Sequence, residues 1–355
     1  MDVIDFLQKR FRGNSDIAPE TKNFIDSALE NQTTLFQTAP SIVKDDATLA
    51  FDNHAKLVLM RNIREEALPL LRERLTTLNI THFQNINAVA VAPCAFRNTR
   101  GYTIDELESL LDPEPDLIIY DMQNFPSQYI FRFRKKIYGN VQVMRQREFE
   151  GLMWTNQSED ESYYVSDLKL IINLLPNYND IEVWIDYPTQ NEKDLHGTPI
   201  RIHANSINII TDEIIEWFWH EVLAQDNASL INIDLSAAIE TLRDTRNNSD
   251  GILAFAVFNH DEDGKQYKMT RTRVDASLDQ DIYVGQMFQD VNLTTEVVQF
   301  IWEDHGRNIV TLIFNTGYII VGGRYHQGRD VNYAITRIRA LNQQRIPSTA
   351  GYHNL

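Results

Sequence analysis

Apolar positions along the chain recur with two different periods, and the places where one gives way to the other mark out its parts. Over residues 48–78, Leu49, Leu57, Met60, Ile63, Ala67, Leu71 and Leu75 keep a spacing of about 3.6, with Arg61, Arg64, Glu65, Glu66, Arg72, Glu73 and Arg74 largely between them. That spacing predicts an amphipathic helix, kinked or divided at Pro69. Shorter helices are expected over residues 3–11 and from Pro19, where Phe24, Ile25, Ala28 and Leu29 share one face. Residues 1–79 therefore read as a helical arm or subdomain.

Near residue 80 the period shortens to that of a strand. Residues 80–92 carry an apolar run that Pro93 closes, and Thr103-Ile104-Asp105-Glu106 then offers an N-cap and acidic first turn for a helix through Leu111. Strands follow over 117–122 and 128–134, with another over 141–147 after a turn at Tyr138-Gly139-Asn140. Residues 80–150 thus form a strand, a helix and an antiparallel meander. The stretch 151–250 is mixed. Glu159-Asp160-Glu161 ends a polar loop, 163–175 suits strand or helix, 181–185 suits a strand, and 200–210 alternates as a strand. Thr211-Asp212-Glu213 then caps a helix over 214–223, and a second helix covers 235–242.

Residues 251–345 are the most legible. Strands over 252–258 and 266–274 make a hairpin with a polar tip, and 297–302 and 309–314 are two more. Asn315-Thr316-Gly317 turns into a strand over 318–323, and a helix over 329–341 puts Val331, Ala334, Ile335, Ile338 and Leu341 on one face. Residues 346–355 form a tail. The expected class is α+β, antiparallel sheets with helices packed on one face, in which 80–150 and 251–345 are a diverged internal duplication.

In the second of these units the string Ile309-Val310-Thr311-Leu312-Ile313-Phe314-Asn315-Thr316-Gly317-Tyr318-Ile319-Ile320-Val321-Gly322-Gly323, followed by a helix with Ala334 and Ile338, resembles the repeat of the TATA-box-binding protein family. In the first unit, Phe83-Gln84-Asn85-Ile86 resembles that family's opening strand, and Phe131 falls where its Ile-Phe would lie. The resemblance implies a concave sheet on the DNA minor groove, with Phe131 and Phe314 as wedges between base steps and Asn85 in the groove. It implies phosphate contacts from Arg132, Arg134, Lys135 and Lys136 in one unit and Arg271, Arg273 and Arg324 in the other. Duplex DNA and transcription-initiation factors are then the partners. The sequence also departs from the family. The second wedge of each repeat falls near Asp116 and Val297, Tyr318 follows the turn glycine where a basic residue is common, and Gly322 replaces a usual Thr.

Charge limits this picture. Among 355 residues, Lys+Arg number 33 and Asp+Glu 50, a net charge of -17, so any nucleic-acid contact needs a local basic surface. The competing reading of the basic strand residues is a solvated face or ion pairs with the many carboxylates, and of the phenylalanines, core packing. A single cysteine, Cys94, excludes an intrachain disulfide and a cysteine-built zinc site and fits a reducing compartment. No apolar run of about 18 residues suggests a membrane span.

Catalytic motifs are absent from the pattern. His220-Glu221 lacks the second histidine of a zinc-protease helix, and His260 with Asp261, Glu262 and Asp263 lacks calcium-loop spacing. The glycines around 317–328 precede no Lys-Ser or Lys-Thr. The expectation is a non-enzyme with no cofactor and no metal. Two functions compete: the DNA-binding module above, and a structural or assembly protein of viral type that self-associates, or joins other structural subunits, through sheet faces and helical arms. The second reading rests on the acidic balance and on Trp217, Phe218 and Trp219, which demand burial or a partner. The expected location is intracellular, nuclear or cytoplasmic, with the virion as the setting of the assembly reading.

Overall fold

The computed structural model describes residues 55–78, 116–149, 152–186, 200–201, 204–243, 251–260, 264–271, 277–278, 281–289, 293–304, 306–322 and 328–344. Asn85, Cys94, Arg273, Arg324, the helices expected within 1–50 and 103–111, the strand at 80–92 and the tail all lie outside the described residues. In chain order the elements are β1 (Lys56–Ile63), α1 (Leu68–Thr77), β2 (Leu117–Phe125), β3 (Gln128–Phe149), β4 (Leu152–Leu175), β5 (Tyr178–Asp186) and α2 (Ala204–Trp217). There follow β6 (Leu230–Asn232), α3 (Ser236–Arg243), β7 (Gly251–His260), β8 (Gln266–Thr270), α4 (Ile282–Gln289), β9 (Leu293–Asp304), β10 (Arg307–Phe314), β11 (Tyr318–Gly322) and α5 (Gly328–Gln344). The class is α+β with antiparallel sheet. Among the described residues no helix is long and apolar enough to cross a membrane.

Two compact units divide the chain, Met1–His54 with Glu65–Ser229, and Ala55–Arg64 with Leu230–Leu355. In the first, β2, β3, β4 and β5 pair in sequence order as an antiparallel meander. Strand alternation sends Tyr129, Phe131 and Phe133 of β3 to one face, opposite Ile172, Leu170 and Leu168 of β4, which in turn meet Ile181, Val183 and Ile185 of β5. All nine are buried. Helix α2 packs along β5 and runs into a π-helical turn, Phe218–Val222. Phe218 lies against Phe131 and Phe133, at centroid separations of 4.5 and 5.4 Å, and closes this core. Helix α1 buries Leu68, Leu71 and Leu75 and ties back through Arg74 Nε, which donates to the Val222 carbonyl at 3.2 Å.

In the second unit the order is β1-β11-β10-β9-β7-β8, with β6 also pairing with β1. Helices α3 and α5 pack on each other, α3 against β9 and α5 against β10 and β11. The expected face of α5, Val331, Ala334, Ile335, Ile338 and Leu341, is buried. The covered sheet face carries Trp302, Ile309, Thr311 and Ile313, with Trp302 edge-on to Tyr333 of α5 and its indole N–H donated to Thr311 Oγ1 at 3.0 Å. Gly317 sits at φ +91 in the β10–β11 turn, and its carbonyl accepts from Met60 N–H at 3.0 Å. A Cβ there would stand 2.9 Å from the Met60 carbonyl oxygen, so the turn requires glycine.

The structure corrects several expectations. The helix expected over 48–78 is a strand, β1, followed by a 3-10 turn at Glu65–Ala67 and the helix α1. The cause is the unbroken run Leu57-Val58-Leu59-Met60, all four buried, so that both faces of the segment are apolar, as in a strand enclosed on both sides. Pro69 does not kink a helix but sits in its first turn, where its missing N–H is harmless. No turn interrupts Tyr138-Gly139-Asn140, because β3 continues through them in register with Tyr163, Ser162 and Glu161. Residues 159–161, read as the end of a loop, lie within β4, and 163–175 is strand. The strand expected over 200–210 is mostly α2. Ile207, Ile214, Ile215 and Phe218 are buried at helical spacing, and Thr211 caps nothing but donates its hydroxyl to the Ile207 carbonyl at 2.6 Å, one turn back.

Candidate functional site

Consecutive residues on a strand face opposite ways, so Phe131 and Arg132 cannot serve one surface. Phe131 is 0% exposed beneath Phe218 and presents no ring to a base step. Arg132, Arg134 and Lys136 occupy the reverse face of β3, across from Lys169 at the Arg132 level, and Lys169 lies over the Trp184 ring at 4.3 Å. Arg134 is only 2% exposed and Lys136 is buried with its ammonium 4.8 Å over the Tyr163 ring. These two are therefore enclosed rather than displayed to phosphates. Lys135 is half-buried on the Phe131 face, beside the core.

That reverse face also holds a buried polar network. Asn173 takes a hydrogen bond from Gln128 Nε2 at 2.9 Å and donates its own amide to Asp180 Oδ1 at 2.7 Å and Glu182 Oε1 at 3.0 Å. Trp184 Nε1 donates to the other Glu182 oxygen at 2.7 Å. Asn173, Asp180 and Glu182 are all buried, so the network ties β3, β4 and β5 together by satisfying two carboxylates away from water. In the second unit Phe314 is half-buried on the sheet face opposite Ile313, in line with Val310 and Leu312, and Arg271 is half-buried with its N–H bonded to the Ala254 carbonyl. Of the aromatic triplet, Phe218 and Trp219 are core, the latter donating to Ser229 Oγ at 2.7 Å. Trp217 is 37% exposed.

The feature that sequence reading missed is the length of the β3–β4 hairpin. The two strands pair without a break from Gln128↔Asn173 to Phe149↔Leu152. Strand β2 reaches only Lys135 on the outer side of β3, and β5 only Leu168 on the outer side of β4. Residues 137–149 and 152–164 therefore form a two-stranded ribbon, about 44 Å long at roughly 3.4 Å per residue. Its base is anchored. The Tyr138 and Tyr163 rings lie 5.7 Å apart, Tyr138 Oη donates to Asp116 Oδ1 at 2.9 Å, and Asn140 exchanges both backbone hydrogen bonds with Arg201 at 3.2 and 2.9 Å. Beyond that bridge, no strand among the described residues joins either outer edge.

The ribbon gave little hydrophobic signal, although Ile137 and Val141 near its base are buried. Val141-Gln142-Val143 alternates, but Thr155-Asn156-Gln157-Ser158-Glu159 is polar throughout. Only the matched lengths on either side of Glu150-Gly151 hinted at it. No protein-family model matches the chain, and no curated protein sequence matches it.

Proposed function

We propose that the chain is a structural subunit that self-associates by strand addition along the β3–β4 ribbon. The observation carrying this reading is the ribbon itself. An isolated two-stranded hairpin is at best marginally stable in water, and an extended strand edge is a template for another chain. Natural sheets blunt such edges with prolines, bulges, short strands or charged side chains, and of these the ribbon has the charges, at Arg145, Arg147, Glu148, Glu159, Asp160 and Glu161. Here residues 137–149 and 152–164 contain no proline, and the β3–β4 register has no shift along its whole length. An arm kept long, regular and anchored at its base suits a subunit that docks by backbone pairing.

The minor-groove reading has less support. It needs two wedges and their cations on one open surface, whereas Phe131 is enclosed and stands on the opposite side of β3 from Arg132 and Arg134. Phe314 is half-buried.

The test is the mass of the purified protein by light scattering across a concentration series, beside Met144→Pro. The N–H of residue 144 points away from β4, so proline there leaves the internal ladder intact and removes an outward donor. Concentration-dependent growth that Met144→Pro abolishes supports the proposal. A wild-type protein that stays at protomer mass throughout overturns it.

A further inference from the structure

Strand addition takes up the edges of the ribbon and leaves its two faces. Resting on the self-association reading, we infer that one of those faces seats on the outer side of helix α2 in a neighbouring copy, Arg145 and Arg147 of one chain meeting Glu213 and Glu216 of the other.

The faces of the ribbon differ because residues directly opposite in an antiparallel pair share a side, whereas neighbours along a strand do not. The register puts Val143, Arg145, Arg147 and Phe149 on one side, with Trp154 level with Arg147. Over residues 143–149 and 152–158 that side carries no acid. The other side takes Glu148 and, level with Gln142, Glu159, and has no cation over residues 142–148 and 153–159.

Helix α2 carries the same order with the charge reversed. Its inner side buries Ile207, Thr211, Ile214 and Ile215. On its outer side Ile209 is 58% exposed and Trp217 37%, with Glu213 and Glu216 exposed between them. At 3.6 residues per turn these four positions fall within about 100° of arc, so they make one stripe. The stripe runs apolar, acid, acid, aromatic over about 12 Å. From Val143 through Arg145 to Arg147 and Trp154 the ribbon runs apolar, base, base, aromatic over about 14 Å. Residues two apart on a strand are separated by about 6.8 Å and residues three apart on a helix by about 5–6 Å, so both ion pairs can form together.

One chain cannot make this contact with itself. Trp217 stands over Phe133, with 6.4 Å between ring centroids, and Arg145 lies twelve residues further along the same unbroken strand, about 40 Å away. The unshifted ladder from Gln128↔Asn173 to Phe149↔Leu152 holds the arm extended. Ribbon and stripe are thus complementary surfaces that only two copies bring together, and an exposed tryptophan at the end of the stripe is the residue type that such contacts favour.

Charge reversal on each surface tests this: Arg145→Glu with Arg147→Glu on the ribbon, and Glu213→Arg with Glu216→Arg on α2. Circular dichroism checks that each protein keeps the wild-type fold. Light scattering across a concentration series then gives the concentration at which half the protein has left protomer mass. Each reversed protein alone is expected to need about tenfold more protein than wild type. An equimolar mixture of the two, in which every reversed surface meets its opposite, is expected to return to the wild-type value. Unchanged assembly in either reversed protein, or a mixture as weak as its components, overturns the seating on α2 and leaves strand addition, read separately by Met144→Pro, in place. A wild type that never leaves protomer mass removes both.

Discussion

If Phe131 is core, truncating it must cost stability on a core scale. Its ring is fully enclosed, 4.5 Å from that of Phe218 and opposite Leu170 across the β3–β4 ladder. Removing a buried phenylalanine side chain forfeits about 1.5–3 kcal/mol of transfer energy, and the cavity left behind brings the usual loss to about 3–5 kcal/mol. The tilted pair with Phe218 adds about 0.5–1.5 kcal/mol of specific coupling. Phe131→Ala is therefore expected to lose about 4 kcal/mol, which at a urea slope of about 2 kcal/mol per molar moves the midpoint down by about 2 M. Four of the five tryptophans, Trp154, Trp184, Trp217 and Trp219, belong to the same unit and Trp302 to the other, so tryptophan emission reports chiefly on it. The double variant with Phe218→Ala should lose less than the sum of the singles, because the two share one cavity. A loss below about 1 kcal/mol with an unchanged slope would refute the packing argument and return Phe131 to the surface.

Three further outcomes follow from the same geometry. Asn173→Ala removes both donated bonds to Asp180 and Glu182 and is expected to destabilise by about 3 kcal/mol, measured by urea unfolding; a near-neutral result would mean the carboxylates are satisfied without it. Gly317→Ala meets a positive φ and the Met60 carbonyl together and should cost about 2 kcal/mol by thermal denaturation, while a neutral change would show that the β10–β11 turn relaxes freely. Burial first and the Asp304 carboxylate second raise the Tyr333 phenol above its ordinary value of 10.0. The unfolded chain thus ionises first, so the stability contributed by the neutral phenol is intact below pH 10.0 and is lost as pH rises through the folded value. In an ultraviolet titration read as the difference from Tyr333→Phe, Asp304→Asn should lower that midpoint, and an unmoved midpoint would discount the carboxylate.

Much of the second unit was legible in sequence. The run from Ile309 to Gly322 alternates cleanly around a glycine turn, and α5 repeats its apolar residues at helical spacing, because in both cases one face is buried and the other is not. The opposed facing of Phe131 and Arg132 was also present in sequence, since adjacent strand residues never share a surface. Local pattern failed where burial was two-sided or absent. Leu57-Val58-Leu59-Met60 became a strand because apolar contacts enclose both its faces, a condition that a single stretch of sequence does not record. The polar run from Thr155 to Glu161 became a strand because β3 supplied the backbone partners.

By itself, then, the sequence determined the α+β class, the hairpin around Gly317 and the core face of α5, all of which depend on contacts close along the chain. Only the tertiary structure decided that Arg134 is enclosed, that Asn173 joins two carboxylates across three strands, and that β3 and β4 continue as an arm. Each of those depends on which distant strand lies alongside, and strand pairing is a long-range choice that the side-chain period of one segment does not encode.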